Sequence, residues 1–278
     1  MIALFARSTI NQLVEVFMDE KYRRFVDEID FSRQLLGLGL TCLRKANFAT
    51  RGLYFQALSG VSLGLERFMK LCLMLDDYNQ NGEYTSRKEL KGYGHDLNVL
   101  FSLVTERVGF PSGLHEVHYR VMELLTEFAK SSRYSNIDFI TNNYDNDPMK
   151  RWYNEIDKNI YDELLSDRQR NVIDKKCEPY RDIGGILPSF VMGYSDENRN
   201  SINSLGELNY LLKRSEMLAG HRTLLVIEIT ECLYNIMNSM ASQSKDNHFQ
   251  HLELGRFFAT IIYGTDKDKI ARKDFNRL

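Results

Sequence analysis

Between Leu58 and Leu75 the apolar residues Leu58, Val61, Leu65, Phe68, Met69, Cys72 and Leu75 recur every three or four positions. An α-helix turns once in about 3.6 residues, so this spacing puts all of them on one stripe. A stripe this long has to be covered by other helices. The same segment carries Ala57, Ser59, Gly60, Ser62 and Gly64 in its first half, which lets a neighbouring helix come close. Glu66 and Lys70 sit one turn apart in the order that favours an ion pair. The spacing predicts a helix over about 50–77.

Helical spacing recurs along most of the chain. Leu4, Phe5, Ile10, Leu13, Val14, Phe17, Met18, Tyr22 and Phe25 predict one or two helices over 2–26. Asp30 is placed to cap the next one, which carries Phe31, Leu35, Leu36, Leu38 and Leu43, with Gly37 and Gly39 marking a close contact. Asn79 to Glu89 reads as a polar loop. Helices are expected at about 96–107 and 113–131, and Asn142 to Asn146 as a hinge. Asp147-Pro148 reads as an N-cap and first helical position. Met149, Trp152, Ile156, Ile160, Leu164 and Ile173 supply the core face beyond it. Residues 178–202, with two prolines and three glycines, form the longest irregular stretch. Ser204 and Glu207 form a capping-box pattern ahead of a long helix, and a last helix covers about 248–263. With only 4 prolines in 278 residues and few candidate strands, the chain reads as all-α. Residues 1–146 and 147–278 are the expected helical regions, the second packed on the first, with one continuous domain as the alternative.

Composition narrows the function classes. Hydrophobic residues make up 43% of the chain and aromatics 12%, enough for a sizeable core. The formal net charge of -2 gives no global nucleic-acid footprint. No apolar run approaches the roughly 20 residues that span a bilayer, and MIALFARSTI is too short and too charged for a signal segment. The expectation is a soluble cytoplasmic protein with no membrane contact. Cys42, Cys72, Cys177 and Cys232 lack metal-binding spacing and read as buried, reduced thiols.

Three segments in order carry a resemblance. Gly60-Val61 through Glu66, Lys70 and Leu71 comes first. Gly94-His95-Asp96-Leu97 with Leu100 is the second, and Ser132-Arg133-Tyr134 with Asp138 is the third. Together they resemble the HEPN superfamily of helical bundles. The first looks like that family's conserved helix with an acid and a lysine one turn apart. The second is similar to its Gly-His-Asp-Leu helix entry. The third resembles its Arg-Tyr-Pro-Asp element, with Ser135 in place of the proline. The resemblance covers about residues 50–140. It implies an antiparallel helical bundle, here extended by further long helices, often dimeric and often encoded in bacterial defence or toxin–antitoxin systems. Some members are metal-independent ribonucleases. Others bind nucleotides or partner proteins without catalysis.

Active members use an Arg followed within a few residues by a His. Histidine titrates near neutrality and can move the 2′-OH proton, while Arg stabilises the charged phosphorane. No such pair lies between Gly94 and Asp138. Arg214 and His221 have the spacing, two turns apart on one helix face. They are the candidate catalytic residues. His95, Asp96, Arg133 and Tyr134 are the candidate binding residues. His95 is expected to cap or bond nearby backbone, and Arg133 to pair with a carboxylate such as Glu66. His115 with His118, His248 with His251, and Asp76-Asp77 read as solvated groups, so no metal and no cofactor is expected. Most aromatics fall on apolar stripes, and Arg51, Tyr54 and Phe55 near a helix start are a minor exception. The leading expectation is a HEPN-like protein that acts by binding a protein partner, a second copy, a nucleotide or RNA, without strong catalysis. A metal-independent endoribonuclease using Arg214 and His221, and a purely structural helical adaptor, are the alternatives.

Overall fold

A computed structural model describes residues 20–142, 144–182 and 193–276. The helices expected before Glu20, Asn143 of the expected hinge and the middle of 178–202 lie outside the described residues. Within them the protein is all-α, and the only β pairing is a single antiparallel bridge between Ser195 and Ser201.

The first helix, α1 (Glu20–Lys45), runs straight through Asp30. The sequence suggested a cap there. The Asp30 carboxylate instead takes hydrogen bonds from Arg33 and Gln34 on its own helix. Phe31 and Leu38 consequently face outward, and the Arg67 guanidinium covers the Phe31 ring at 4.7 Å.

Helix α2 (Arg51–Asn81) folds back along α1. The small residues make this contact. A Cβ on Gly39 would stand 2.7 Å from the Val61 nitrogen, and one on Gly60 3.0 Å from the Leu35 oxygen and 3.1 Å from the Gly39 Cα. Backbone therefore meets backbone, and the stripe from Leu58 to Leu75 is buried as its spacing predicted. The helix runs past 77 to Gly82, whose φ of 75° supplies the left-handed C-cap. It consumes part of the expected polar loop. A short helix, α3 (Arg87–Gly92), takes more of it, started by a reciprocal Ser86–Glu89 cap.

Helices α4 (Leu97–Val108) and α5 (Glu116–Lys130) both pack on α2. Thr126 on α5 accepts the Leu97 N–H at 3.0 Å and so fixes the start of α4 against α5. A 3₁₀ turn, Ser132–Tyr134, leads into an unforeseen helix, α6 (Ser135–Asn142), which takes in the first residue of the expected hinge.

Asp147 caps α7 (Pro148–Trp152) through bonds from the Met149 and Lys150 N–H groups, with Pro148 at the first position as expected. The helix then widens into two π turns, Tyr153–Asp157 and Ile160–Leu164. Each π turn adds a residue to the helical repeat and rotates the residues beyond it. The helix ends at Leu164, and Leu165, in extended backbone, enters the core in place of the expected Leu164.

Helix α8 (Asp167–Asp182) contains Pro179 in its last turn, so the expected irregular stretch begins later than 178. Helix α9 (Leu205–Ser242) is the spine. At 38 residues it is roughly 57 Å long, and it packs on α1, α2, α5 and α8. Ser204 caps it by accepting the Glu207 N–H. The Glu207 carboxylate reaches the Asn203 nitrogen, one residue short of the reciprocal bond. The expected last helix is broken into α10 (Asn247–Gln250) and α11 (Leu254–Ile262), each with its own start. An unforeseen α12 (Asp266–Ala271) comes after them, capped by Thr265.

One continuous apolar core joins these elements. It takes Leu36, Leu58 and Leu125 from before position 146 and Trp152, Ile156, Leu233 and Phe275 from after it. All four cysteines are buried and unbridged. Among the described residues no helix is long and apolar enough to cross a membrane.

Candidate functional site

The Gly-His-Asp-Leu segment turns from α3 into α4. Asp96 is the helix cap, accepting the Asn98 and Val99 N–H groups, and it also holds Lys130 at 3.0 Å. Burial raises its carboxyl, but the bonds from Lys130 and the two amides outweigh it and hold the group below the usual range. His95 does not bond backbone as expected. Its Nδ1 lies 2.8 Å from Glu66 Oε1, the oxygen that also accepts Lys70 Nζ at 2.8 Å. Burial raises Glu66 as well, and the bonds from Lys70 and His95 again win and lower it. The imidazole is 70% exposed. Among the described residues it has no hydroxyl or thiol partner to activate as a nucleophile. Beside this cluster lies an open groove of about 630 Å³, floored by Phe25, Leu63, Leu71, Met74 and Tyr84 and edged by Glu66, Arg67 and Lys70.

Arg133 does not reach Glu66, whose near oxygen is already shared. It donates to the Ala129 carbonyl at 2.6 Å, closing the C-terminal end of α5. Tyr134 points outward, and so do the large apolar residues after it. Tyr134 is 65% exposed, Ile137 57%, Phe139 53%, Ile140 81% and Tyr144 60%. Helix α6 is thus amphipathic the wrong way round. Its inward side is polar: Ser132 and Ser135 are buried, and Asn146 donates to Ser132 Oγ at 2.6 Å. Asn136 Oδ1 accepts Arg199 Nη2 at 3.1 Å. Arg199 has a left-handed φ of 70° and reaches with Nε to Asp147 Oδ2 at 2.7 Å. The polar tether holds α6 in place while its isoleucines and phenylalanine face water. Each large apolar side chain left exposed forgoes about 1.5–3 kcal/mol of burial. Here several of them cluster on one side of the same short helix.

Arg214 and His221 lie seven residues apart on α9, roughly 10.5 Å along its axis, and form no bond to one another. The Arg214 guanidinium stacks on the Tyr161 ring at 4.3 Å and reaches the Tyr210 hydroxyl. His221 is half-buried, and burial, then the charge of Arg44, pushes its pKa down.

The remaining candidates have structural partners. His118 is buried rather than solvated. Its Nδ1 accepts the His115 N–H at 3.0 Å, which leaves Nε2 to donate to Glu228 at 2.7 Å. His248 pairs with Asp246 at 2.9 Å, and His251 closes α10. Asp77 is not simply solvated either: Thr85, Tyr93 and Arg107 all donate to it. Tyr54 is buried beneath Arg222, Phe55 packs edge-on against Phe128, and Arg51 holds the Ser195 and Asp196 carbonyls. These three residues therefore present no stacking platform.

Set against protein-family models, curated proteins and solved structures, the chain has no match. The sequence had singled out Arg133 and Tyr134 but not Ile137, Phe139 or Ile140. Their spacing looks like an ordinary core stripe, and only the packing of Ser132 and Ser135 shows that the stripe faces out.

Proposed function

We propose that the protein is a HEPN-like helical module that works by binding rather than by strong catalysis, and that the Tyr134–Tyr144 surface binds a second copy of the same chain. The exposed apolar side of α6 is the observation that carries this reading. The surface is self-complementary in character: Ile137, Phe139, Ile140, Tyr134 and Tyr144 are interleaved with Asn136, Thr141 and Asn142, and Asp138 is the only ionisable group on α6. A two-fold interface sets a patch against itself, so a nearly uncharged apolar patch meets no like-charge repulsion. The resemblance of residues 50–140 to that family suggests a setting among bacterial defence or toxin–antitoxin proteins. The endoribonuclease alternative has less support, because Arg214 is engaged by Tyr161 and Tyr210 and forms no bond to His221.

Sedimentation velocity on the full chain tests the reading. A dimer is expected, and Ile140→Asp with Phe139→Ser should yield a monomer with an unchanged unfolding curve. A wild-type chain that stays monomeric at every concentration would refute it. Metal-independent cutting of single-stranded RNA that vanishes in Arg214→Ala and His221→Ala would favour the ribonuclease instead.

A further inference from the structure

A pocket of about 250 Å³ opens where α1 ends against the middle of α9 and the C-terminal segment. Arg44, Lys45 and Lys273 converge on it, and Glu216 is the one carboxylate in its wall. Glu216 already accepts Lys213 at 2.9 Å. Among the described residues none of the three cations forms an ion pair, and the half-buried Arg44 keeps its Nε without any hydrogen-bond partner. The backbone at the pocket has been made less hostile to an anion. The carbonyl of Ala46, which would repel one, is turned to Arg222 Nη1 at 2.9 Å.

Three cations share this wall with one carboxylate, and the excess of like charge is costly, because like charges raise each other's energy. Lys and Arg side chains on a free surface spread apart or find carboxylates. Here Arg44, Lys45 and Lys273 line one concave space, with Arg44 half-buried in its wall. We propose that this pocket binds the terminal phosphoryl group of a small phosphate-bearing ligand, with Arg44 as the fixed donor and Lys45 and Lys273 as flanking charges. The guanidinium fork matches two phosphate oxygens at once. The volume lies below the roughly 300–1,000 Å³ of pockets that enclose whole drug-sized ligands, so the phosphoryl group enters and the rest of the molecule stays outside. A single phosphate also fits better than a polynucleotide. Tracking a nucleic-acid backbone needs a stripe of positive charge, and the chain's formal net charge is -2. The site uses no residue of the α6 surface and is independent of self-association.

Titration calorimetry with inorganic phosphate and with a nucleoside 5′-monophosphate tests this on the full chain. Arg44→Gln and the surface double variant Lys45→Ala/Lys273→Ala should each weaken both ligands by about tenfold or more. The unphosphorylated nucleoside should not bind. The double variant alters exposed side chains, so it keeps the test valid if Arg44→Gln fails to fold. Equal affinities in wild type and the double variant would overturn the proposal. So would a heat signal that sodium chloride at matched ionic strength reproduces. Tight binding of a short RNA lacking any terminal phosphate, lost in the same variants, would overturn the terminal-phosphate assignment in favour of backbone phosphates.

Discussion

Arg222 on α9 and Asp157 in the first π turn form an ion pair of 2.8 Å with both side chains sealed from solvent. Arg222 also donates to the Ala46 carbonyl and the Tyr54 hydroxyl at 2.9 Å each, while Trp152 Nε1 donates to Asp157. One guanidinium thus joins the α1–α2 connection to the segment after Asp147. Burial pushes the Asp157 carboxyl up against the pull of Arg222. Burial works to lower Arg222, and Asp157, Tyr54 and Glu197 more than compensate.

Removing one ion of such a pair strands the other without water. Arg222→Met should lower unfolding stability by about 3–5 kcal/mol in urea titration. Arg222→Met with Asp157→Leu should lose markedly less than the two single changes added together. Strict additivity would mean the pair contributes no coupling.

Glu197 is buried in the loop that Arg51 clamps through the Ser195 and Asp196 carbonyls. Its residual exposure is 4%, and no cation lies within ion-pair distance of it among the described residues. Burial raises its carboxyl from 4.5 to about 7, with the nearby Asp157 charge adding to the rise. The folded state therefore holds this proton more tightly than the unfolded chain. Its contribution to stability is intact below about pH 4.5 and is lost as pH climbs to about 7, reaching a cost of about 3 kcal/mol. Glu197→Gln should match wild type near the acid end and exceed it in stability at about pH 8. Parallel stability–pH curves for the two proteins would rule this out.

The α1–α2 contact gives two glycines opposite signs. Gly39→Ala gains about 0.5–1 kcal/mol of helix propensity. It also drives a Cβ to 2.7 Å from backbone, an overpacking cost of about 1–3 kcal/mol, so the melting temperature should fall. Gly52→Ala, with nothing within 4 Å of its new Cβ, should raise it. Calorimetric melting of both variants decides, and a stabilised Gly39→Ala would show that the helices are free to move apart.

Arg214 lies over Tyr161, and its guanidinium serves that stacking. Arg214→Ala should cost about 1–2 kcal/mol of stability, measured by denaturant unfolding, with Lys restoring only part. A variant as stable as wild type would free Arg214 from a structural role and return it to the catalytic reading.

Much of the helix content was legible because burial of one face imposes a period that the sequence must carry. Leu58 to Leu75, Asp147-Pro148 and the start of α9 at Ser204 follow from local spacing and capping alone. The π turns were not legible. Nor was the helix end at Leu164, after which Leu165, in extended backbone, turns inward in place of Leu164. The continuous helix through Asp30 is similar: a cap residue acts as one only where the chain has a reason to start a helix.

The candidate sites divide in the same way. Asp96 as a helix cap and Glu66 with Lys70 are local relationships, and spacing reveals them. His95 reaching Glu66, His118 buried against Glu228, and Arg44, Lys45 and Lys273 meeting in one pocket join residues far apart in the chain. The sequence by itself determined that the protein is helical, where several of its helices begin and which stripes are apolar, because those depend on periodicity and capping within a few residues. Only the tertiary structure decided which stripes are covered. The isoleucines of α6 face outward because Ser132 and Asn136 found polar partners in Asn146 and Arg199 and Ser135 is buried beside them, and a sequence carries no record of which side its neighbours will take.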